Sequence, residues 1–277
     1  MLLTIRCPAK VNLFLAVGPK DLRNYHPLRS IFQAIDLCDS MTIRVGVGKH
    51  EVVFDDPTIP GENTVTKALR LLSEVLNLPP LHIAIEKRIP PESGLGGGSS
   101  NAAAVIRAAQ AIAGLTIPAG ELKGIAEAIG MDVPFFLVGG RAKAEGYGEK
   151  LTSLSDLPTE WMVVARPGVG SSTPAAYKLL DESPYTWREF PDSDELYNDF
   201  ERVAAPESLD LIDALLALGA RDAALSGSGS AVFGRFGSQT VAARAHAVLL
   251  NQSECKAWVA HTLTRSESLE LGARQAT

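Results

Sequence analysis

The chain has 277 residues, of which 46% are hydrophobic and 21% are charged, as in ordinary globular proteins, and it is long enough for two domains. The net charge of −6 and the lack of a basic run argue against nucleic acid or an anionic membrane as a main partner. The three cysteines form no CxxC pair and the chain start lacks a signal-peptide core, so we expect a soluble cytoplasmic protein.

The first predicted strand covers residues 8–17, which have a β-rich composition. Alternation places Lys10, Asn12 and Phe14 on one face of this strand and apolar residues on the other. Two polar side chains on one face are typical of a solvated edge strand, but they also suit a polar site. The strand by itself leaves both interpretations open.

A loop containing Tyr25 and His26 follows, and such a pair in a loop is by itself unremarkable. The next strand is predicted over residues 30–37. Residues 41–54 are interpreted as two strands paired with each other, and residues 65–76 as a helix.

Residues 89–101 form the most distinctive stretch, between a strand predicted over 81–87 and a helix predicted over 102–115. Glycine occupies four of the five positions from 94 to 98. Glycine lets the backbone turn its N–H groups inward without a Cβ clash, and the helix N-terminus adds partial positive charge. The stretch therefore predicts an anion site, most often a phosphate site. The candidates for the helix N-cap are Ser99, Ser100 and Asn101.

The familiar phosphate signatures do not match this stretch. A P-loop has a lysine after its last glycine, where this chain has Ser99, and the dinucleotide fingerprint needs glycine or alanine there. A dehydrogenase is therefore the least favoured interpretation. A glycine-rich connection without a ligand is the plain alternative, but four glycines carry an entropic penalty that an ordinary turn avoids.

Asp132 follows a helix predicted over 121–129 and stands two residues before Pro134. An aspartate at this place is most simply a helix N-cap. A closing strand and turn are predicted over 141–148.

The elements of the second half come, in outline, in the order strand, helix, strand, strand, helix, strand, which suggests a ferredoxin-like domain. We expect the boundary between the two domains, 1–153 and 154–277, at the start of a proline-bearing connection. The predicted elements are strand 161–166, a helix from Thr173 to 180, an aperiodic loop 184–194, helix 209–218, strand 223–225, loop 226–230, strand 231–236, helix 238–250 and a strand near Trp258.

Residues 91–102, Pro-Glu-Ser-Gly-Leu-Gly-Gly-Gly-Ser-Ser-Asn-Ala, resemble the ATP-binding motif of the galactokinase, homoserine kinase, mevalonate kinase and phosphomevalonate kinase superfamily. Further stretches are similar to other motifs of this superfamily, in its order: Pro-Ala-Lys-x-Asn-Leu at 8–13, Asp-Val-Pro-Phe-Phe-Leu at 132–137 and Ser-Gly-Ser-Gly-Ser at 226–230. The resemblance implies an α+β fold of two domains. The N-terminal one would be a ribosomal-protein-S5-domain-2-like nucleotide-binding domain, and the C-terminal one would be ferredoxin-like.

By this resemblance the chain is an ATP-dependent kinase that uses Mg²⁺ and phosphorylates a primary hydroxyl of a small cytidine diphosphate derivative. Lys10 and Asp132 would be its catalytic residues. The resemblance places near ATP the residues Asn63, Lys87, Pro90, Pro91, Glu92, Ser93, Gly94, Leu95, Gly96, Gly97, Gly98, Ser99, Ser100, Gly227 and Ser228. It places near the acceptor Asn12, Tyr25, His26, Thr173 and Tyr177. Neither the metal ligands nor the oligomeric state is indicated.

Several of these roles have plain structural alternatives. Asn63 could be only a helix cap, Lys87 a surface charge on a strand, and Thr173 a helix N-cap. Residues 226–230 would also match a two-glycine hairpin turn.

The chain departs from the family pattern at three positions. Asn24 replaces the usual glycine before Tyr25, Met131 stands where most members have a small residue, and bulky Tyr147 fills the variable slot of Glu-Gly-x-Gly-Glu. Asparagine accepts left-handed backbone angles better than most residues, so we expect the turn at Asn24 to be kept.

Two other functions are weighed against this one. A kinase of the same superfamily could act on homoserine, mevalonate or a sugar, but Tyr25 and His26 argue against it, because an aromatic face and a polar edge suit a nucleobase. A non-catalytic nucleotide-binding module is the other, and the presence of both Lys10 and Asp132 argues against that.

Overall fold

In the computed structural model the described residues are 2–184, 187–272 and 274–275; Tyr185 and Thr186, inside the predicted loop 184–194, lie outside them. The strands are β1 (Leu2–Val17), β2 (Leu28–Val45), β3 (Glu51–Phe54), β4 (Leu81–Glu86), β5 (Arg141–Glu145), β6 (Lys150–Ser153), β7 (Trp161–Pro167), β8 (Tyr197–Asn198), β9 (Asp222–Leu225), β10 (Val232–Phe236), β11 (Cys255–His261) and β12 (Arg274–Gln275). The helices are α1 (Thr64–Val75), α2 (Gly97–Ala113), α3 (Ala119–Ile129), α4 (Val133–Val138), α5 (Thr173–Asp181), α6 (Pro206–Ala217), α7 (Gln239–Gln252) and α8 (Arg265–Ser268), with a 3-10 helix at Asp199–Val203. No helix in these described ranges is long and apolar enough to cross a membrane.

The first sheet is built around β1 and β2, two long antiparallel strands. Its order is β12-β1-β2-β4-β3, while β5 pairs with β2 and β6, and β8 pairs in parallel with β1. The prediction that residues 41–54 form two strands paired with each other is wrong, because β4 lies between β2 and β3. The local pattern predicted the strands, but β3 pairs in parallel with β4 across the α1 crossover, which no local pattern reveals.

The strand β1 is longer than predicted and irregular. Register shifts interrupt its pairing with β2 between Pro8 and Ala9 and between Asn12 and Phe14. The second shift separates Phe14 from Asn12, with which alternation had grouped it, and Phe14 packs in the apolar core between the two sheets. Irregularities of this kind re-aim side chains and are common next to functional sites.

The second sheet has the order β11-β7-β10-β9, with antiparallel neighbours throughout. With α6 between β7 and β9 and α7 between β10 and β11, this is the β-α-β-β-α-β arrangement of a ferredoxin-like domain. The predicted α+β fold with a ferredoxin-like second half is confirmed.

The two sheets pack face to face, and helices cover their outer faces. One apolar core lies between the first sheet and α1 to α4, a second lies between the sheets, and a third lies between the second sheet and α5 to α7. The late strands β8 and β12 return to β1, so the C-terminal half also contributes to the first sheet. A domain boundary between residues 153 and 154 stays a prediction.

Candidate active site

The glycine-rich stretch runs directly into α2. The helix begins at Gly97 and its N-cap is Gly96, so the prediction of a cap at Ser99, Ser100 or Asn101 is wrong. Gly96 has φ 74°, a left-handed angle that glycine adopts without strain and that lets the helix begin inside the glycine run. The unpaired N–H groups of the first helical turn therefore belong to the glycine-rich stretch itself, at the positive end of the helix dipole.

A cavity of about 380 Å³ lies at this helix start, within the usual range for small-molecule sites. The residues predicted for ATP that line it are Asn63, Lys87, Pro90, Pro91, Glu92, Ser93, Gly94, Gly96, Gly97, Gly98 and Ser99. By contrast, Leu95 is fully buried in the core between the sheets and Ser100 is buried within α2. Phe54 and Ile59 add an apolar wall that the sequence analysis did not anticipate.

Asp39 is a buried residue that the sequence analysis missed. Its carboxylate accepts hydrogen bonds from the backbone N–H groups of Arg88 and Ile89, both at 2.8 Å. It also accepts one from Asn101 Nδ2 at 3.0 Å and pairs with the ammonium of Lys87. One carboxylate thus connects the chain entering the glycine-rich stretch to the helix that leaves it. The only available signal was an acidic residue within a mostly apolar strand.

Lys87 and Asn63 both line the cavity, but their polar groups are largely used within the protein. Lys87 Nζ lies 3.2 Å from Asn101 Oδ1 besides pairing with Asp39, so Lys87 is not a simple surface charge. Asn63 Oδ1 accepts from the N–H groups of Val65 and Thr66 and caps α1, as its structural alternative held.

The two residues predicted to be catalytic lie side by side. Lys10 Nζ is 3.7 Å from Asp132 Oδ2, and the Asp132 side chain is 33% exposed. Lys10 is buried, its stem passes Gly96, and its Nζ donates to Asn12 Oδ1 at 2.7 Å. Burial lowers the pKa of Lys10, and the neighbouring Asp132 charge opposes that change.

Asp132 occupies the N-cap position of α4, but its side chain makes no capping hydrogen bond within the described residues. Its backbone angles, φ −87° and ψ −11°, are helical, whereas a capping residue usually has an extended backbone. Capping therefore does not account for this carboxylate, which stays available beside Lys10.

The loop between β9 and β10, residues 226–230, closes on the glycine-rich stretch. Ser226 Oγ donates to the Gly94 carbonyl at 3.0 Å, and a Cβ on Gly94 would overlap the carbonyl oxygen of Ser226. The Gly227 N–H donates to Asn12 Oδ1 at 2.8 Å. The loop is a hairpin connection, as its plain alternative held, and it also contacts two of the other motifs.

Thr173 is the first residue of α5, and the N-cap of that helix is Ser172. The Thr173 Oγ1 lies 2.8 Å from Ser228 Oγ. Thr173, which is predicted to bind the acceptor, therefore contacts Ser228, which is predicted to bind ATP.

The other residues predicted for the acceptor divide into buried and exposed ones. His26 is buried and stacks on Tyr177, with ring centroids 4.9 Å apart, while His26 Nδ1 donates to the Gly18 carbonyl at 2.9 Å. Burial and the charge of Asp132 raise the pKa of Tyr177 to about 12, so this ring lies within electrostatic range of the predicted catalytic pair. Tyr25, in contrast, is 64% exposed.

Tyr25 packs against Tyr147, with ring centroids 5.6 Å apart. The Tyr147 hydroxyl donates to Asp21, and this hydrogen bond raises the pKa of Tyr147. Asn24 has φ 67°, so the left-handed turn before Tyr25 is kept as expected. The bulky residue in the family's variable slot thus supports the exposed Tyr25 ring.

Two segments match known protein families: residues 63–140 match the GHMP kinases N terminal domain, and residues 192–253 match the GHMP kinases C terminal. A 4-diphosphocytidyl-2-C-methyl-D-erythritol kinase from Geobacter sulfurreducens is 38% identical over 263 residues, which cover 88% of this chain and 93% of that protein. A crystal structure of 4-(cytidine 5'-diphospho)-2C-methyl-D-erythritol kinase has a TM-score of 0.82 at 33% identity, covering 94% of this chain and 98% of that one. A homoserine kinase from Cytophaga hutchinsonii shares only the fold, with a TM-score of 0.68, 18% identity and 96% of each chain covered.

Two sheets packed face to face, with a glycine-lined cavity at a helix start, are the fold and site of a GHMP kinase. Within this class, the chain belongs to the 4-diphosphocytidyl-2-C-methyl-D-erythritol kinase family.

Proposed function

We propose that the chain transfers the γ-phosphoryl group of ATP to a primary hydroxyl of 4-diphosphocytidyl-2-C-methyl-D-erythritol, in the non-mevalonate route to isoprenoid precursors. Relatives named for this substrate cover most of the chain. The observation that carries the proposal is the 3.7 Å contact between Lys10 Nζ and Asp132 Oδ2, beside a glycine-rich helix start. An ammonium–carboxylate pair next to an anion site suits phosphoryl transfer to an alcohol.

ATP is the donor that GHMP kinases use, and the cavity at the start of α2 supports its binding here. The backbone N–H groups of residues 94–98 and the positive end of the helix suit the phosphates. A Cβ added to Gly97 would come within 2.9 Å of Ile89 Cγ2, so a larger residue would disturb this surface. The apolar wall of Phe54 and Ile59 suits a nucleobase.

The alcohol of the acceptor is a poor nucleophile at neutral pH, so a base must accept its proton as the new P–O bond forms. Asp132 is the proposed base, because its carboxylate is partly exposed and is not used for capping. Proton transfer of this kind contributes about 10²–10⁴-fold to the rate. Lys10 would hold a positive charge beside this carboxylate and offset charge on the transferring group.

Magnesium is the proposed partner of the triphosphate. Across residues 2–184, 187–272 and 274–275, no three His, Cys, Asp or Glu side chains are placed to hold a metal ion together. Mg²⁺ does not require such a cluster, because it usually keeps several waters and needs only one or two carboxylates besides substrate phosphates. Glu92 and Ser99, which both line the cavity, would offer oxygen atoms to it. When bound, the ion would neutralise charge on the phosphate oxygens.

The cytidine part of the acceptor is proposed to bind at Tyr25, His26 and Tyr177. Aromatic faces next to polar ring edges suit a nucleobase, and homoserine, mevalonate and sugars have none. The charge of Asp132 contributes to the raised pKa of Tyr177, which supports a position of this subsite near the proposed base.

An assay of ADP release with a panel of acceptors tests the proposal. We expect release with the cytidyl substrate and none with homoserine, mevalonate or galactose. The absence of release with the cytidyl substrate, or full activity of Asp132→Asn, would contradict the proposal. ATP binding without turnover across the whole panel would indicate a non-catalytic nucleotide-binding module instead.

We also propose that the protein works in the cytoplasm. Cys7, Cys38 and Cys255 are all unpaired, as expected in a reducing compartment. Fractionation of the producing cell, with detection of this chain in each fraction, tests the location.

A further inference from the structure

Asn198 connects the late strand β8 to the loop over the catalytic pair. β8 pairs in parallel with β1, with Tyr197 opposite Phe14 and Asn198 opposite Leu15. Asn198 is 3% exposed, although it is a polar residue on a two-residue strand. Such a buried carboxamide needs hydrogen-bond partners, and those of Asn198 lie in the loop 226–230, at its edge and in the 3-10 helix.

The carboxamide of Asn198 makes two different kinds of contact. Its Nδ2 donates to the carbonyl oxygens of Leu225 and Gly227, each at 2.8 Å, and so holds the start of the loop 226–230. Its Oδ1 accepts from the Phe200 N–H at 3.0 Å and caps the 3-10 helix. The Nδ2 group of Asn198 therefore holds the loop, and its Oδ1 atom caps the 3-10 helix.

Asn12 connects the loop 226–230 to Lys10 by hydrogen bonds. The Gly227 N–H donates to Asn12 Oδ1 at 2.8 Å, and Lys10 Nζ donates to the same oxygen at 2.7 Å. Asn12 Nδ2 donates to Ser30 Oγ at 2.8 Å. Hydrogen bonds therefore fix both the Oδ1 and the Nδ2 atoms of Asn12, and the residue is 2% exposed. In this fixed position its Oδ1 orients the ammonium of Lys10.

We propose that Asn198 is a positioning residue for phosphoryl transfer. It holds the loop so that the Gly227 amide orients Asn12, and Asn12 in turn orients Lys10 toward Asp132. This inference rests on the proposed function, because Lys10 and Asp132 must serve catalysis, but the hydrogen-bond chain itself does not depend on which acceptor binds.

The variant Asn198→Asp separates the two contacts. A carboxylate can still accept from the Phe200 N–H, but it cannot donate to the two carbonyls of the loop. We expect kcat for ADP release to fall about 10- to 100-fold, because small displacements of a catalytic group have effects of this size. Tyr197→Phe is the matched control: it removes the hydrogen bond from the Tyr197 hydroxyl to Asp199, two residues along the chain, and keeps the Asn198 carboxamide that holds the loop. We expect this variant to keep the wild-type kcat.

A double-mutant cycle distinguishes positioning from a general loss of folding. In an Asn12→Ala background the link to Lys10 is already broken, so we expect Asn198→Asp to have less than about a twofold further effect on kcat. A folding defect would lower kcat by the same factor in both backgrounds.

Equal factors in the two backgrounds, or an unchanged kcat in the single variant, would overturn the proposal. If Asn198→Asp does not fold, Asn198→Ser repeats the test, because serine also caps helix N-termini but is too short to hold both carbonyls. Failure of the proposed function would look different: the wild-type protein itself would release no ADP with the cytidyl substrate.

Discussion

The cavity proposed for ATP and the side proposed for the acceptor are built in opposite ways. Most residues of the cavity wall come from one short stretch, residues 87–101, and four of them are glycines, which offer only backbone. The side proposed for the acceptor takes single side chains from distant places in the chain, namely Lys10, His26, Asp132 and Tyr177. A ligand site made of backbone groups can be predicted from a run of glycines in the sequence. A ligand site made of side chains forms only when folding brings distant residues together.

This comparison predicts that the two sides respond to substitution in different ways. Changes at the cavity should act through backbone conformation and alter ATP affinity. Changes on the acceptor side should remove one functional group and alter turnover, with ATP affinity unchanged. The following experiments test that separation.

The largest effect is expected for Asp132→Asn, which removes the proposed base and leaves the shape of the site unchanged. We expect kcat to fall about 10²–10⁴-fold while the Kd for ATP stays near the wild-type value. Rapid-quench assays of ADP formation and titration with a fluorescent ATP analogue measure the two quantities. A parallel loss of ATP affinity would show that the two sides are not separable.

A large effect on ATP binding is expected for Gly94→Ala. Gly94 has φ 79°, and a Cβ there would overlap the Ser226 carbonyl, so the loop 226–230 must move. We expect the Kd for ATP to rise about 10- to 100-fold, in line with the usual cost of such backbone strain. Gly124→Ala is the control, because its Cβ would meet open space in α3 and should if anything stabilise the fold. Wild-type ATP affinity in Gly94→Ala would contradict the steric argument.

A smaller effect is expected for Asp39→Asn, which leaves Lys87 without its carboxylate and weakens the support under the glycine-rich stretch. We expect the KM for ATP to rise about tenfold, with the KM of the acceptor unchanged. The control is Asp36→Asn on the same strand, where the carboxylate contacts His261 and neither residue lines the cavity. Equal effects of the two variants on ATP would mean that Asp39 serves general stability only.

The smallest effect at neutral pH is expected from the titration of Lys10. Burial lowers its pKa, so turnover should decline on the alkaline side at a pH below the ordinary lysine value of about 10.4, as the ammonium is lost. In that window the unfolded chain binds more protons than the folded one, so this lysine makes stability rise with pH. Lys10→Arg, with a side chain that stays charged, should lose the alkaline decline while its kcat falls. The same decline in Lys10→Arg would assign it to another group.

The sequence predicted some features of the fold well and others not at all. The strand and the helix on either side of the glycine run were predicted correctly, because alternation and glycine content are local properties, while the anion site between them stays a prediction. The sequence predicts the start of α2 too late, because serine and asparagine are the usual N-cap residues, whereas the left-handed angle at Gly96 lets the helix begin earlier. The strand β8 and the residues Asp39 and Asn198 escaped prediction, because their importance comes from partners far away in the chain.

Local sequence was therefore sufficient for most helices and strands, for a glycine-rich stretch between a strand and a helix and, through its motifs, for the class of enzyme. Which polar groups meet was settled by packing. Lys10 and Asp132 lie 3.7 Å apart, and Asp39 contacts the chain that enters the glycine-rich stretch, because β1, β2, α2 and α4 pack around one core. That packing buries Lys10 and Asp39 among partners that no local pattern specifies.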